Sequence, residues 1–337
     1  MRWRPWSGVV LILAVAGGVF AYLPATAFQD PPFQGPPFQN RPPHRPEVIA
    51  STQTLKTGGA EIQVDFAAGA LDLTPAQIMP WVVRATNAVD LYYGRFPVKR
   101  ARILIVPGAD DAGVMQGTTW GDMHGMPGFT RMRLGQHTTE QQLRDDWTMT
   151  HELVHMAFPG LPDEQHWMEE GLSTYIEPIA RVQTGELKAS QVWQDMVEGM
   201  PKGEPKAGDE GMDRTHTWGR TYWGGALFCM VADVEIRKRT GNRKGLQDAV
   251  RAIVAAGGTI DHDWPLTQAL AVGDKATGTT VLTDQYKQWS EAPMQVDLPK
   301  LWTELGVVSA RGGAEFSADA PMARIREAIT SPYTATK

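Results

Sequence analysis

The chain of 337 residues is poor in cysteine, in positive charge and in long apolar runs. Its one cysteine, Cys229, excludes an intramolecular disulfide, so stability has to come from packing or from a bound metal. Cys229 lies in the apolar stretch 226–231 and reads as a small buried hydrophobe rather than a nucleophile. Thirty-two basic residues against 38 acidic ones give a net charge of −6, which excludes the electrostatic attraction that nucleic-acid binding needs. The apolar run 8–20 falls short of the roughly 20 residues of a membrane span and carries Gly17 and Gly18.

What stands at the start is a pattern of a different kind. Arg2 and Arg4, the run 8–20 and the small triplet Ala25-Thr26-Ala27 match a secretory signal peptide cut after Ala27. The expectation is export to the periplasm or the medium, the alternative being an anchor formed by the uncleaved segment. Loss of the leader removes two arginines and moves the net charge to −8. Residues 28–46 are dominated by Pro and Gln, with Pro-Pro-Phe-Gln starting at Pro31 and again at Pro36, and read as an extended tether.

Folded structure is expected from residue 47, as a mixed α/β lobe over 47–158 and a mainly helical lobe over 159–337. Residues 61–66 alternate like a half-buried strand, 75–93 repeat like a helix, and 101–106 and 129–134 read as further strands, the last an edge strand carrying Arg131 and Arg133. Helices are expected at 140–158, 164–180, 190–198, 220–239 and 245–256, with loops at 199–213 and 257–280. At this level the chain is an α+β protein whose sheet comes first.

Within the helix expected at 140–158, His151-Glu152-Leu153-Val154-His155 places two imidazoles four residues apart, on one helix face, where both reach one ion. A zinc ion held by three protein ligands keeps one position open and lowers the pKa of water there, and Glu152 is placed to take the proton. Trp167-Met168-Glu169-Glu170-Gly171-Leu172 offers two carboxylates for the third position. Helical spacing sets Glu169 nearer the face of Leu172 and Ile176, and Glu170 nearer Trp167 and Thr174, and does not choose between them.

His151-Glu152-x-x-His155 followed by Trp-hydrophobic-x-Glu-Gly resembles the gluzincin metallopeptidases. The resemblance continues through Tyr222-Trp223-Gly224-Gly225-Ala226-Leu227 and Asp233-Val234-Glu235-Ile236-Arg237 to Leu246-Gln247-Asp248-Ala249-Val250-Arg251, which are similar to the glycyl aminopeptidase family and more distantly to the aminopeptidase N family. It covers residues 101–251 and the tail near 320–329. It implies a zincin fold of the thermolysin-like kind and one Zn2+ per chain on His151, His155 and Glu170. It also implies Glu152 as general base and Tyr222 as donor to the oxyanion, His216 being the competing donor. The sequence departs from the pattern at Gly224, where the family has lysine. It departs again at 121–128, where Asp122 and His124 stand in place of an acidic Gly-x-Met-Glu-Asn segment. A PDZ-like tail of the kind found in the glycyl aminopeptidases is not expected after the helical region.

The resulting expectation is a zinc peptidase acting on peptide or protein substrates. Its rivals are a zinc hydrolase of another bond and a catalytically silent binding or scaffold protein of the same fold. Leu143 and Trp147 are expected to pack the metal helix on the sheet. Asp145 and Asp146 are expected to favour the helix dipole, or one of them to support a ligand imidazole. Arg131 and Arg133 read as solvated edge charges or as a site for a substrate carboxylate.

Overall fold

The computed structural model describes residues 47–332; the signal peptide read at 1–27 and the tether read at 28–46 lie outside the described residues. Strand β1 (Ile49–Thr57) turns into β2 (Ala60–Ala67), whose Ile62, Val64 and Phe66 point into the main core. Helix α1 (Pro75–Tyr93) starts with proline at its first position behind Thr74, and stops at Gly94, which takes the left-handed φ of 76°. Its buried stripe of Ile78, Trp81, Val82, Ala85 and Val89 recurs every three or four residues, the period of a helix lying on a sheet.

Three strands follow, β3 (Arg100–Gly108), β4 (Val114–Met123) and β5 (Met126–Gly135), and the sheet order is β1-β2-β3-β5-β4. β2, β3 and β5 run parallel, with β1 and β4 antiparallel at the two edges. Alternation along β3 sends Ala101, Ile103 and Ile105 to the α1 side. Leu104 and Val106 go to a smaller cluster with Ala67 and Phe129 on the other face. The strand expected at 129–134 is therefore internal, not an edge. Its arginines mislead because Arg131 is half-buried and taken up by Glu47 at 3.1 Å.

The helix expected at 140–158 is two helices, α2 (Glu140–Asp145) and α3 (Thr148–His155). Asp146 is extended between them, at φ −67° and ψ 136°. Its carboxylate accepts the Met149 N–H at 3.0 Å and the indole N–H of Trp81 at 2.8 Å, which makes it a cap tied to α1. Leu143 is buried as expected, but Trp147 at the break is 39% exposed and is not core.

A 3-10 turn (Asp163–Gln165) leads into α4 (His166–Gln183), then α5 (Ala189–Gly199). The helix expected at 220–239 begins as a π-helical turn (Gly219–Gly224) before α6 (Gly225–Thr240). α7 (Leu246–Ala255), α8 (Leu266–Thr277), α9 (Val281–Trp289) and α10 (Leu298–Leu305) follow, then the hairpin β6 (Val307–Val308) and β7 (Glu315–Phe316), and α11 (Ala323–Thr330). α8 falls in the region read as irregular. Its inward stripe of Leu266, Ala269, Leu270, Gly273 and Thr277 is made largely of small residues, so it carries little apolar signal. No helix among the described residues is long and apolar enough to cross a membrane.

One crossing sets up the site. A Cβ on Gly171 of α4 would collide with the backbone of Gly225, and one on Gly225 with the Trp167 carbonyl and the Gly171 backbone. α4 and α6 touch through bare backbone there. That contact brings the π-turn against the N-terminal turns of α4.

Candidate metal centre

α3 presents His151 and His155 on one face, their rings 5.1 Å apart between centroids. Glu170, in the second turn of α4, reaches between them: its Oε2 lies 3.0 Å from His151 Nε2 and 3.6 Å from His155 Nε2. Donor atoms of these three residues all fall within 4.8 Å of one another. Ligands at about 2.0–2.2 Å around a tetrahedral zinc stand about 3.3–3.6 Å apart; the His155 distance to Oε2 falls at the upper end of that spacing and the His151 distance a little short of it. Two imidazoles and a carboxylate form a donor set that zinc accepts with one position left open.

Glu169 and Glu170 have different partners. Glu169 Oε2 meets His166 Nδ1 at 2.9 Å, and its Oε1 accepts the Leu161 N–H at 3.2 Å. His166, at the first position of α4, also reaches Glu170 Oε1 with Nε2 at 3.1 Å. Although burial pulls the imidazole down, the hydrogen bonds to the carboxylates of Glu169 and Glu170 push it up to about 10. Burial opposes the charge of Glu170 too, but His155, with His151 and His166, holds that carboxyl well below the usual range.

Glu152 lies against edge strand β4. Its Oε2 accepts the Thr119 hydroxyl at 2.8 Å, and Thr119 is in turn 2.9 Å from Thr130 on β5. A side chain at Gly117 would collide with the Glu152 carboxylate, so this glycine leaves the space the base occupies. Burial pushes the Glu152 carboxyl up, against the pull of His155, His151 and Thr119. The segment 121–128 is the tip of the β4–β5 hairpin, with Asp122 and His124 in left-handed conformations. The residues of β4 beside the site are Gly117 and Thr119.

Tyr222 sits in the π-turn, a local widening that often marks functional positions in helices. Its ring stacks over His151 at 6.3 Å and on Trp218 at 5.8 Å. Burial, with Glu170 and Glu152 nearby, pushes the phenol well above its ordinary value and keeps it a donor. Trp147 meets the His151 ring edge-on at 5.3 Å. His216 is exposed in the loop before the turn.

Thr119 and His166 are the site residues that sequence reasoning missed. Nothing in the sequence marks Thr119, whereas His166, three and four residues before the two glutamates, is legible from helical spacing.

No family profile and no curated protein matches the chain. Among solved structures, an aminopeptidase N family protein from Idiomarina loihiensis aligns over 80% of this chain and 52% of its own, at a TM-score of 0.55 and 12% identity. The fold is that of the aminopeptidase N structures. An M1 zinc metallopeptidase from Deinococcus radiodurans aligns over 75% of this chain and 53% of its own, at a TM-score of 0.47 and 15% identity. The chain spans about half the length of these structures. The gluzincin resemblance in the motifs thus has a counterpart in the α+β architecture, while the role of each side chain rests on the geometry above.

Proposed function

We propose that this chain is a zinc-dependent peptidase, with zinc held by His151, His155 and Glu170. The observation that carries this reading is the approach of Glu170 Oε2 to both imidazoles, beside a buried carboxylate, Glu152, that is not part of the ligand set. A metal held for structure alone has no use for such a neighbour. When bound, zinc would supply Lewis-acid activation of water and of the substrate carbonyl. Glu152 would take a proton from the attacking water and return it to the leaving amine, in the orientation set by Thr119. Tyr222 would donate its hydroxyl where negative charge develops on the carbonyl oxygen, a contribution of about 3 kcal/mol for a well-aimed donor. Among the described residues the outer edge of β4 has no partner strand, and an extended peptide would pair there and run past Glu152. With the leader read from the sequence, the reaction would take place outside the cytoplasm.

The test is zinc content and peptide hydrolysis of the parent beside Glu152→Gln. Near one zinc in each protein, with turnover only in the parent, supports a peptidase. Zinc in both with no turnover on peptide libraries in either favours a scaffold or another hydrolase, and a metal-free parent after zinc is supplied removes the reading.

A further inference from the structure

The two oxygens of Glu170 have different neighbours. Oε2 faces the imidazoles of α3, at 3.0 and 3.6 Å, and Oε1 faces His166 Nε2 at 3.1 Å. The His166 ring is fixed from its other side, since Nδ1 lies 2.9 Å from Glu169 Oε2 while Glu169 Oε1 accepts the Leu161 N–H. A chain of contacts thus runs from the Leu161 backbone through Glu169 and His166 to a single oxygen of Glu170. Residues 166, 169 and 170 are neighbours on the helix surface through i,i+3 and i,i+4 spacing.

A carboxylate with both oxygens free binds an ion through one or through both, and a donor held on one of them removes that choice. We propose that His166 is a positioning residue that keeps Glu170 Oε1 away from the metal and presents Oε2 alone. This inference rests on the zinc site proposed above. His151, His155 and one oxygen supply three donors; Oε1 as a fourth would fill the position that a hydrolytic site leaves open. His166 is not itself a ligand in this arrangement. The donor atoms that converge belong to His151, His155 and Glu170, and His166 Nε2 approaches the carboxylate by its other oxygen. Partners behind a ligand commonly orient it in this way.

The experiment uses the full chain and three substitutions. His166→Phe keeps the ring volume without a donor, His166→Gln places an amide N–H near the former Nε2, and His166→Asn places one only near the former Nδ1. Zinc affinity is read by competition with a chromophoric chelator, ligand number from the visible spectrum after cobalt substitution, and folding from the melting of the metal-free proteins. The Phe and Asn variants are expected to bind zinc about ten- to hundredfold more weakly, with Gln within about threefold of the parent. Cobalt bands should weaken in Phe and Asn as Oε1 joins the ion, and stay parent-like in Gln. The proposal is overturned if the parent binds zinc and the Phe and Asn variants match it in affinity and cobalt spectrum, or if Gln loses as much as Asn. Should Phe fail to fold, the Gln and Asn pair still decides. A parent that binds no zinc removes the zinc reading and this inference together, whereas unchanged variants beside a zinc-loaded parent remove this inference alone.

Discussion

Glu152 and Glu170 are buried carboxylates of one site, 8% and 7% exposed, and they are held in opposite ways. On the sheet side, Glu152 has a neutral hydroxyl from Thr119 as its hydrogen-bond partner, and burial pushes it up. On the helix side, Glu170 has imidazoles at both oxygens, and they hold it down against a similar burial. Depth alone does not set what a carboxylate does. The partners do, and under the proposed reading they separate a proton acceptor from a metal ligand.

The comparison breaks most sharply at the ligand. Glu170→Ala should lose stoichiometric zinc and all hydrolysis while Glu169→Ala keeps the metal, as elemental analysis would report; zinc retained in Glu170→Ala would contradict the assignment. Glu152→Gln should lower kcat by about a hundred- to ten-thousandfold with zinc content unchanged. Thr119→Val, which removes only the hydroxyl on the base, is expected to lower kcat about ten- to hundredfold with KM little changed and Thr119→Ser close to the parent. Equal kcat in Val and Ser would show that the strand does not orient Glu152.

Away from the carboxylates the effects shrink. Gly171→Ala forces α4 and α6 apart at their backbone contact and should cost about 1–3 kcal/mol in chemical denaturation, with an added loss of kcat from displacement of Tyr222. The smallest effect concerns Asp65, another buried carboxylate, on β2. Burial opposes its charge, but Thr52, Arg102 at 2.6 Å and Gln63 hold it below the ordinary value. A lowered carboxyl stabilises the fold above the ordinary Asp value of about 3.9, and that stability fades as pH falls towards the folded value. Melting temperatures should therefore fall less for Asp65→Asn than for the parent between about pH 5 and pH 3.

How much of this was legible depends on how far apart in sequence the cooperating residues lie. His151, Glu152 and His155 occupy one helix, so spacing alone puts the two imidazoles on one face with Glu152 beside them. Leu143 was equally legible as core, yet Trp147 was not, because the helix breaks where Asp146 finds Trp81, 65 residues upstream. The edge of the sheet was misassigned for a related reason. Charges on 129–134 suggested solvent, but Glu47 from outside the strand neutralises Arg131, and the hairpin places β4 outside β5.

By itself the sequence determined the α+β order, the helix that carries His151, Glu152 and His155, and a pair of adjacent glutamates as candidates for a third ligand. Local periodicity and short-range spacing are enough for these. Tertiary structure alone decided that Glu170 turns to the imidazoles while Glu169 turns to His166 and the Leu161 backbone, that Thr119 hydrogen-bonds Glu152, and that a π-turn lays Tyr222 over His151. Each of these needs two segments brought together by packing. The Gly171–Gly225 contact, where two helices meet with no side chain between them, supplies one of those approaches.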